Sequence, residues 1–169
     1  MKTTLLVTIA MLTSLFSHAK PLEVGQDAPA VSGINQDGQT VDLGAVFSSG
    51  ITLVFFYPMA DTPGCTAQAC SLRDSFQELV DKEIRVFGVS TDKPEKQKAF
   101  KEGNLLPFDL IADTDKVVSK AFGRGRWDRQ AYLIQDGKVI WRDLKASTKT
   151  QAADFKTALE ELGIAKFAP

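Results

Sequence analysis

Both cysteines of the chain, Cys65 and Cys70, lie at one predicted junction between a strand and a helix. An apolar run at residues 51–57 leads into a turn rich in proline and glycine, and a helical pattern follows. Cys65 falls in the first turn of that helix, where unpaired backbone N–H groups and the positive end of the helix dipole favour a thiolate. Gly64 leaves room for another molecule to approach the sulfur. The junction therefore predicts a nucleophilic cysteine.

The residues before Cys65 make the turn stiff and polar. Pro58 and Pro63 restrict the backbone, because the proline ring fixes φ. Thr62 places a hydroxyl, which both donates and accepts hydrogen bonds, three residues before the sulfur. The turn thus predicts a rigid socket around the nucleophile.

The five-residue separation of the two cysteines limits what they can do together. Five helical residues rise ~7.5 Å and rotate ~140° net, whereas a disulfide needs Cα atoms within about 6.8 Å. Either the segment is not helical, or it unwinds on oxidation. A structural disulfide is one interpretation, since exported proteins often contain them. A pair that cycles between thiol and disulfide fits the spacing better, because a strained disulfide is easily reduced.

The elements that position this turn alternate along the chain. Further core strands are predicted at residues 84–90, 109–112, 131–134 and 138–142, and helices follow most of them. Turn signals at residues 35–38 and 135–137 predict β-hairpins. The order favours an α/β fold with a central mixed sheet, helices on both faces and an N-terminal β-hairpin.

The first residues have the pattern of a secretory signal peptide. Lys2 precedes a short apolar stretch, and small residues at positions 17 and 19 suggest cleavage after Ala19. We therefore expect a signal peptide at residues 1–19, one domain at residues 20–169, and an exported protein, periplasmic in a Gram-negative source. A retained membrane anchor is the alternative, although the apolar stretch is shorter than the ~20 residues of a spanning helix.

Composition excludes several classes of function. Cleavage would remove the only histidine, His18, and leave 19 basic and 21 acidic residues, a formal charge of −2. Without histidine, Cys–His catalysis and His-containing metal sites are excluded. No cluster of basic residues indicates a nucleic-acid partner, and we expect no cofactor or metal.

The motif around the cysteines resembles that of the peroxiredoxins, in particular the bacterioferritin-comigratory or Q-type subfamily. The P-x3-T-x2-C motif is specific for the family, and the C-x4-C spacing narrows the subfamily. The resemblance covers roughly residues 21–162 and continues through the segments at 87–92, 106–113 and 129–137. It implies a thioredoxin-like fold.

The resemblance also implies roles for five residues. Cys65 matches the peroxidatic cysteine, which reduces hydrogen peroxide or organic hydroperoxides, and Cys70 matches the resolving cysteine, which forms an intramolecular disulfide with it. Thr62 would orient the peroxide, Pro58 would shield the thiolate, and Arg129 would stabilise negative charge beside the sulfur. A thioredoxin-like or other dithiol protein would reduce the disulfide, and the enzyme would be monomeric and act in antioxidant defence. If the protein is exported, the sequence does not identify its reductant, because a cytosolic thioredoxin cannot reach it.

Other interpretations of the residues stay open. A thiol–disulfide oxidoreductase of the thioredoxin superfamily usually has Cys-x-x-Cys, which this chain lacks. A copper-handling thioredoxin fold would need a distant histidine, and a binding module with a structural disulfide would make the cysteine motif a coincidence. Without the resemblance, Arg129 would be one exposed arginine among Arg124, Arg126 and Arg142. We expect Thr66 and Gln68 to be surface residues.

Overall fold

A computed structural model of the chain describes residues 20–164. The predicted signal peptide at residues 1–19 lies outside the described residues, as do residues 165–169. Between residues 20 and 164, no helix combines the length and the apolar character that crossing a bilayer requires.

The strands form a small hairpin and a central sheet. The hairpin pairs β1 (Ser32–Ile34) with β2 (Thr40–Asp42) in antiparallel fashion. The central strands are β3 (Ile51–Phe56), β4 (Ile84–Ser90), β5 (Asp109–Ala112), β6 (Ala131–Gln135) and β7 (Lys138–Asp143). Their spatial order is β5-β4-β3-β6-β7, with β3, β4 and β5 parallel to one another and β6 and β7 joined antiparallel. The predicted mixed sheet and N-terminal hairpin are confirmed.

Helices cover both faces of this sheet. They are α1 (Leu43–Phe47), α2 (Pro63–Asp74), α3 (Phe76–Val80), α4 (Pro94–Gly103), α5 (Val117–Ala121) and α6 (Gln151–Glu161). Apolar residues of α2, α3, α4 and α6 belong to one core cluster, and those of α1 and α5 belong to the other.

Strand β3 lies in the middle of the sheet and contributes to both clusters. Leu53 and Phe55 are fully buried in the cluster that contains α2, whereas Val54 and Phe56 are fully buried in the cluster that contains α1. A strand covered on both faces needs apolar residues at successive positions. This is why residues 51–57 lack polar alternation.

The structure differs from the sequence predictions at several helix ends. Helix α1 was not predicted, and it begins because Asp42 ends β2 and accepts a hydrogen bond from Ala45 N. The helix after the cysteines breaks at Ser75 into α2 and α3. Helix α5 is only five residues long and its N-cap residue is Lys116, while the Asp113 carboxylate accepts from Val118 N and Ser119 N in its first turn.

The antiparallel pairing of β6 with β3 brings distant parts of the chain together. Phe55 faces Ala131 in the register, and Phe56 N donates to Gln130 O at 2.7 Å. The start of β6 therefore lies beside the end of β3. Arg129, two residues before β6, is placed next to the turn that leads to the cysteines.

We predict that Gly88→Ala destabilises the sheet. A Cβ at this position of β4 would lie 2.7 Å from both Leu110 Cδ2 and Phe55 Cζ, and overpacking of a core costs about 1–3 kcal/mol. Gly103→Ala, in the last turn of α4, is the control, because nothing lies within 4 Å of its added Cβ. It should stabilise the protein by up to ~1 kcal/mol. Denaturant unfolding measures both changes, and equal stability of the two variants would contradict the packing described.

Candidate active site

The chain leaves β3 through Tyr57, which is fully buried. Its N–H donates to Val89 O at 3.1 Å, and its hydroxyl donates to Gln97 Oε1. Gln97 Nε2 in turn donates to Ser90 Oγ and to the carbonyl oxygen of Ile111. Burial raises the pKa of Tyr57 well above its usual value, so the phenol stays neutral. The network attaches the start of the loop to α4 and to the neighbouring strands.

Asp92 holds the next part of the same loop. One of its carboxylate oxygens accepts from Ala60 N at 2.7 Å and from Ser90 Oγ at 2.8 Å, and the other accepts from Lys96 Nζ at 2.9 Å. Asp92 does not cap α4, whose N-cap residue is Lys93. Its carboxylate instead fixes the loop that precedes Cys65.

Helix α2 begins directly after this loop. Thr62 is its N-cap, Pro63 occupies the first helical position, and no side chain caps the helix. The Thr62 hydroxyl donates to Met59 O at 3.0 Å, while its carbonyl accepts from Thr66 N. Cys65 is thus in the first turn, as predicted, and it is fully buried.

The predicted arginine reaches the predicted nucleophile. Arg129 Nη1 lies 3.3 Å from Cys65 Sγ, although 64 residues separate them in the chain. Gly64 permits this approach, because a Cβ there would lie 3.0 Å from Arg129 Nη2. A guanidinium at this distance stabilises negative charge on the sulfur and on a reacting group beside it. Pro58 is half-buried in the loop after β3.

Gln68 belongs to the site, and the expectation that it is a surface residue is wrong. It is fully buried, and its Oε1 accepts from the same Arg129 Nη1 at 2.8 Å. Its Nε2 is buried and has no hydrogen-bond partner among the described residues. The amide therefore orients the guanidinium toward the sulfur. The helical spacing could have predicted that Gln68 lies near Cys65, since position 68 is one turn later on the same face of the helix.

Cys70 lies further along α2 and forms no disulfide with Cys65; both are free thiols. Its Sγ is 3.9 Å from Asn104 Oδ1, and Arg73 Nη1 donates to Asn104 O at 2.9 Å. Asn104, at the end of α4, thus holds the second half of α2. With α2 continuous from Pro63 to Asp74, the cysteines are too far apart to bond without unwinding.

A second arginine near the site was not identified from the sequence. Arg124 is buried, with 8% of its surface exposed, and its guanidinium lies 5.7 Å from the centre of the Phe56 ring. Arg124 Nε donates to Asp128 O at 3.0 Å. It therefore holds the loop that delivers Arg129. Burial cannot be read from its flanking sequence, which consists of glycine and charged residues.

Comparisons with known proteins agree on one family. The AhpC/TSA family profile matches residues 24–142. Peroxiredoxin Bcp of Escherichia coli strain K12 is 46% identical over 143 residues, which cover 82% of this chain and 90% of that protein. Peroxiredoxin Bcp of Bacillus subtilis strain 168 is 32% identical over 153 residues, covering 83% and 97%. The crystal structure of peroxidoxin BcpB from Mycobacterium tuberculosis superposes with a TM-score of 0.76 at 29% identity, covering 83% and 98%.

These matches span the fold and the site. The residues matched by the family profile include both cysteines and Arg129. The structural superposition covers nearly all of the other protein, which confirms the thioredoxin-like α/β fold. The chain therefore belongs to the AhpC/TSA family, as a peroxiredoxin of the Bcp or Q type, and is a thiol-dependent peroxidase.

Proposed function

We propose that Cys65 is the peroxidatic cysteine and Cys70 the resolving cysteine of this peroxidase. The observation that carries the proposal is the contact of Arg129 Nη1 with Cys65 Sγ, 3.3 Å, at the uncapped start of α2. The guanidinium and the helix dipole both favour a thiolate there. The Cys70 sulfur instead lies 3.9 Å from the Asn104 amide oxygen, and the cation that acts on it, Arg73, donates its hydrogen bond to Asn104 O.

The reaction then runs in three steps. The Cys65 thiolate attacks one peroxide oxygen, the O–O bond breaks, and water or an alcohol leaves after taking up a proton, with Cys65 as a sulfenic acid. The Cys70 thiol attacks the Cys65 sulfur, an S–S bond forms, and water leaves. A dithiol reductant reduces this disulfide by thiol exchange and becomes oxidised itself.

Arg129, Thr62 and Pro58 complete the site. Arg129 would stabilise the charge that develops on the leaving oxygen. The Thr62 hydroxyl donates its proton to Met59 O, so its oxygen is left to accept a hydrogen bond from the O–H of the peroxide. Pro58 lacks an N–H group and would shield the thiolate from water. Gln68 acts through Arg129 as a positioning residue.

The second step needs a conformational change in α2. Cys65 is buried at the start of the helix and Cys70 lies five residues later. Forming the disulfide requires the part of α2 around Cys70 to leave Asn104 and unwind. The bonds from Arg73 and Cys70 to Asn104 are the contacts that oppose this step.

We further propose that the enzyme is exported and works as a monomer with a thioredoxin-like reductant of its own compartment. The support is the signal-peptide pattern at residues 1–19, with the domain at residues 20–169. Peroxiredoxins use peroxide substrates and thioredoxin-type reductants. A cytosolic thioredoxin would not reach an exported enzyme, so a periplasmic dithiol protein is proposed for a Gram-negative source.

We predict that Cys65→Ser abolishes peroxide turnover, because a serine hydroxyl is not ionised at neutral pH as a thiolate is. Consumption of hydrogen peroxide with dithiothreitol as the reductant measures the effect. The variant should react no faster than the mixture without protein, while its unfolding midpoint confirms that it is folded. Turnover by Cys65→Ser equal to the wild-type rate would remove Cys65 from the mechanism.

Cys70→Ser should retain the first step and lose the second. Without the resolving thiol, one equivalent of peroxide is expected to leave one sulfenic acid per chain. Dimedone labelling and mass spectrometry detect this product and place it on Cys65. A variant that traps no sulfenic acid there, or that still forms an intramolecular disulfide, would contradict the assignment of Cys70.

Arg73→Gln is expected to speed disulfide formation. The variant loses the bond from Arg73 Nη1 to Asn104 O, and a hydrogen bond at this half-exposed site contributes ~1 kcal/mol, or about fivefold in the open population. Asp74→Asn is the control, since it removes only the ion pair of Arg73 with its neighbour. Stopped-flow fluorescence after a peroxide pulse measures the rate. Equal rates in the two variants would show that Asn104 does not hold α2 closed.

A further inference from the structure

A small basic pocket lies beside the loop that carries Arg129. Its cavity has a volume of about 70 Å³, more than the ~15 Å³ that one water needs. Four of its lining side chains are cations and two are hydroxyls: Lys116, Lys120, Arg124, Arg126, Thr91 and Ser119. We call this site the basic pocket.

None of the four cations forms an ion pair with a carboxylate among residues 20–164. By comparison, Lys101, Lys138 and Lys156 each contact an aspartate or glutamate. Arg126 stacks on Trp127, 5.0 Å from the ring centre, and forms no ion pair with a carboxylate of the described residues. The pocket thus concentrates positive charge with no carboxylate of residues 20–164 in direct contact with its cations.

The burial of Arg124 makes this cluster of positive charges energetically unfavourable. It is 8% exposed, and its hydrogen bonds go to neutral acceptors: Asp128 O at 3.0 Å, and Ser119 Oγ and Arg126 O at 3.4 Å. Burial lowers the pKa of Arg124, while the charges of Asp113, Asp128 and Cys65 act to raise it. A buried cation without a paired anion is unfavourable.

The nearby carboxylates already have other partners. Asp113 accepts from Val118 N and Ser119 N at the start of α5. The Asp128 carboxylate accepts from Gly125 N at 3.0 Å. Neither forms an ion pair with a pocket cation, so they balance the charge of Arg124 only in part, and a ligand could balance the rest.

We propose that the basic pocket binds an oxyanion group, a carboxylate or a phosphate. Guanidinium, ammonium and hydroxyl donors around a small cavity match the several acceptor oxygens of such a group. Two sources share this chemistry: a free phosphate ion, and the anionic end of an organic hydroperoxide. The second source rests on the proposed peroxidase function, whereas oxyanion binding does not.

The pocket is coupled to the active site through one residue. Arg124 Nε donates to the carbonyl of Asp128, and Arg129 follows directly. Arg129 then contacts Cys65 Sγ. An oxyanion on Arg124 is therefore placed next to the segment that positions the guanidinium at the sulfur.

The first test is the binding of inorganic phosphate to the reduced protein, measured by isothermal titration calorimetry at low ionic strength. The wild type should bind one phosphate per chain. The double variant Lys116→Gln/Lys120→Gln and the single variant Arg126→Gln should each bind it more weakly, the double variant by at least about tenfold. Lys138→Gln/Lys156→Gln loses the same charge on other surfaces and should bind as the wild type does.

Two results would overturn the proposal. One is the absence of saturable phosphate binding by the wild type. The other is equal weakening in the pocket and control double variants, which would mean general attraction to a basic surface. Circular dichroism of each variant confirms that it is folded. Lys116 and Lys120 are exposed, so their replacement should not unfold the protein. If the double variant nevertheless unfolds, Arg126→Gln provides an independent result.

The second test identifies the source of the oxyanion by comparing a carboxylated hydroperoxide with neutral cumene hydroperoxide. If the pocket receives the substrate, Lys116→Gln/Lys120→Gln should lower kcat/KM for the carboxylated peroxide alone, by about tenfold. Equal kcat/KM ratios in variant and wild type, together with phosphate binding, would assign the pocket to a free ion. Failure of the wild type to consume any peroxide would refute the proposed function and leave the phosphate result standing.

Discussion

The contact between the guanidinium of Arg129 and the sulfur of Cys65 is the interaction on which the rest of the site depends. It joins two residues 64 positions apart at 3.3 Å, and three features make it possible. Antiparallel pairing of β6 with β3 brings the arginine beside the turn. The missing Cβ of Gly64 leaves space for its Nη2 atom. The Gln68 amide accepts from Nη1 and fixes its direction.

The same helix serves two requirements that oppose each other. In the proposed mechanism its first turn must be rigid, because the sulfur, the arginine and the peroxide would have to meet in one geometry. Its later part would have to open for the proposed disulfide to form, because Cys70 cannot reach Cys65 while α2 is intact. The structure separates these requirements along the helix. The loop before Cys65 is held by Asp92 and by the Tyr57–Gln97 network, whereas the part around Cys70 is held by fewer contacts to Asn104.

Two arginines, Arg129 and Arg124, supply positive charge near the site. Arg129 acts directly on the sulfur, while Arg124 lies behind it, packs on Phe56 and holds the carbonyl of Asp128. Because the hydrogen bonds of the buried Arg124 go only to neutral acceptors, it stabilises the loop at an electrostatic cost. The oxyanion proposed for the basic pocket would offset that cost and link ligand binding to the position of Arg129.

The sequence alone determined the local chemistry: the strand at residues 51–57, the helix start at Cys65, the Asp136–Gly137 hairpin and the family motif. These features depend on apolar periodicity, turn conformation and helix termini, which neighbouring residues control. Arg129 was assigned through the resemblance, and the structure places it at the sulfur. Only the tertiary structure shows that Gln68 and Arg124 are buried. It alone also shows that Asn104 is hydrogen-bonded to Arg73 of α2. Each depends on packing between segments distant in the chain, so no local pattern of charge or hydropathy could indicate it.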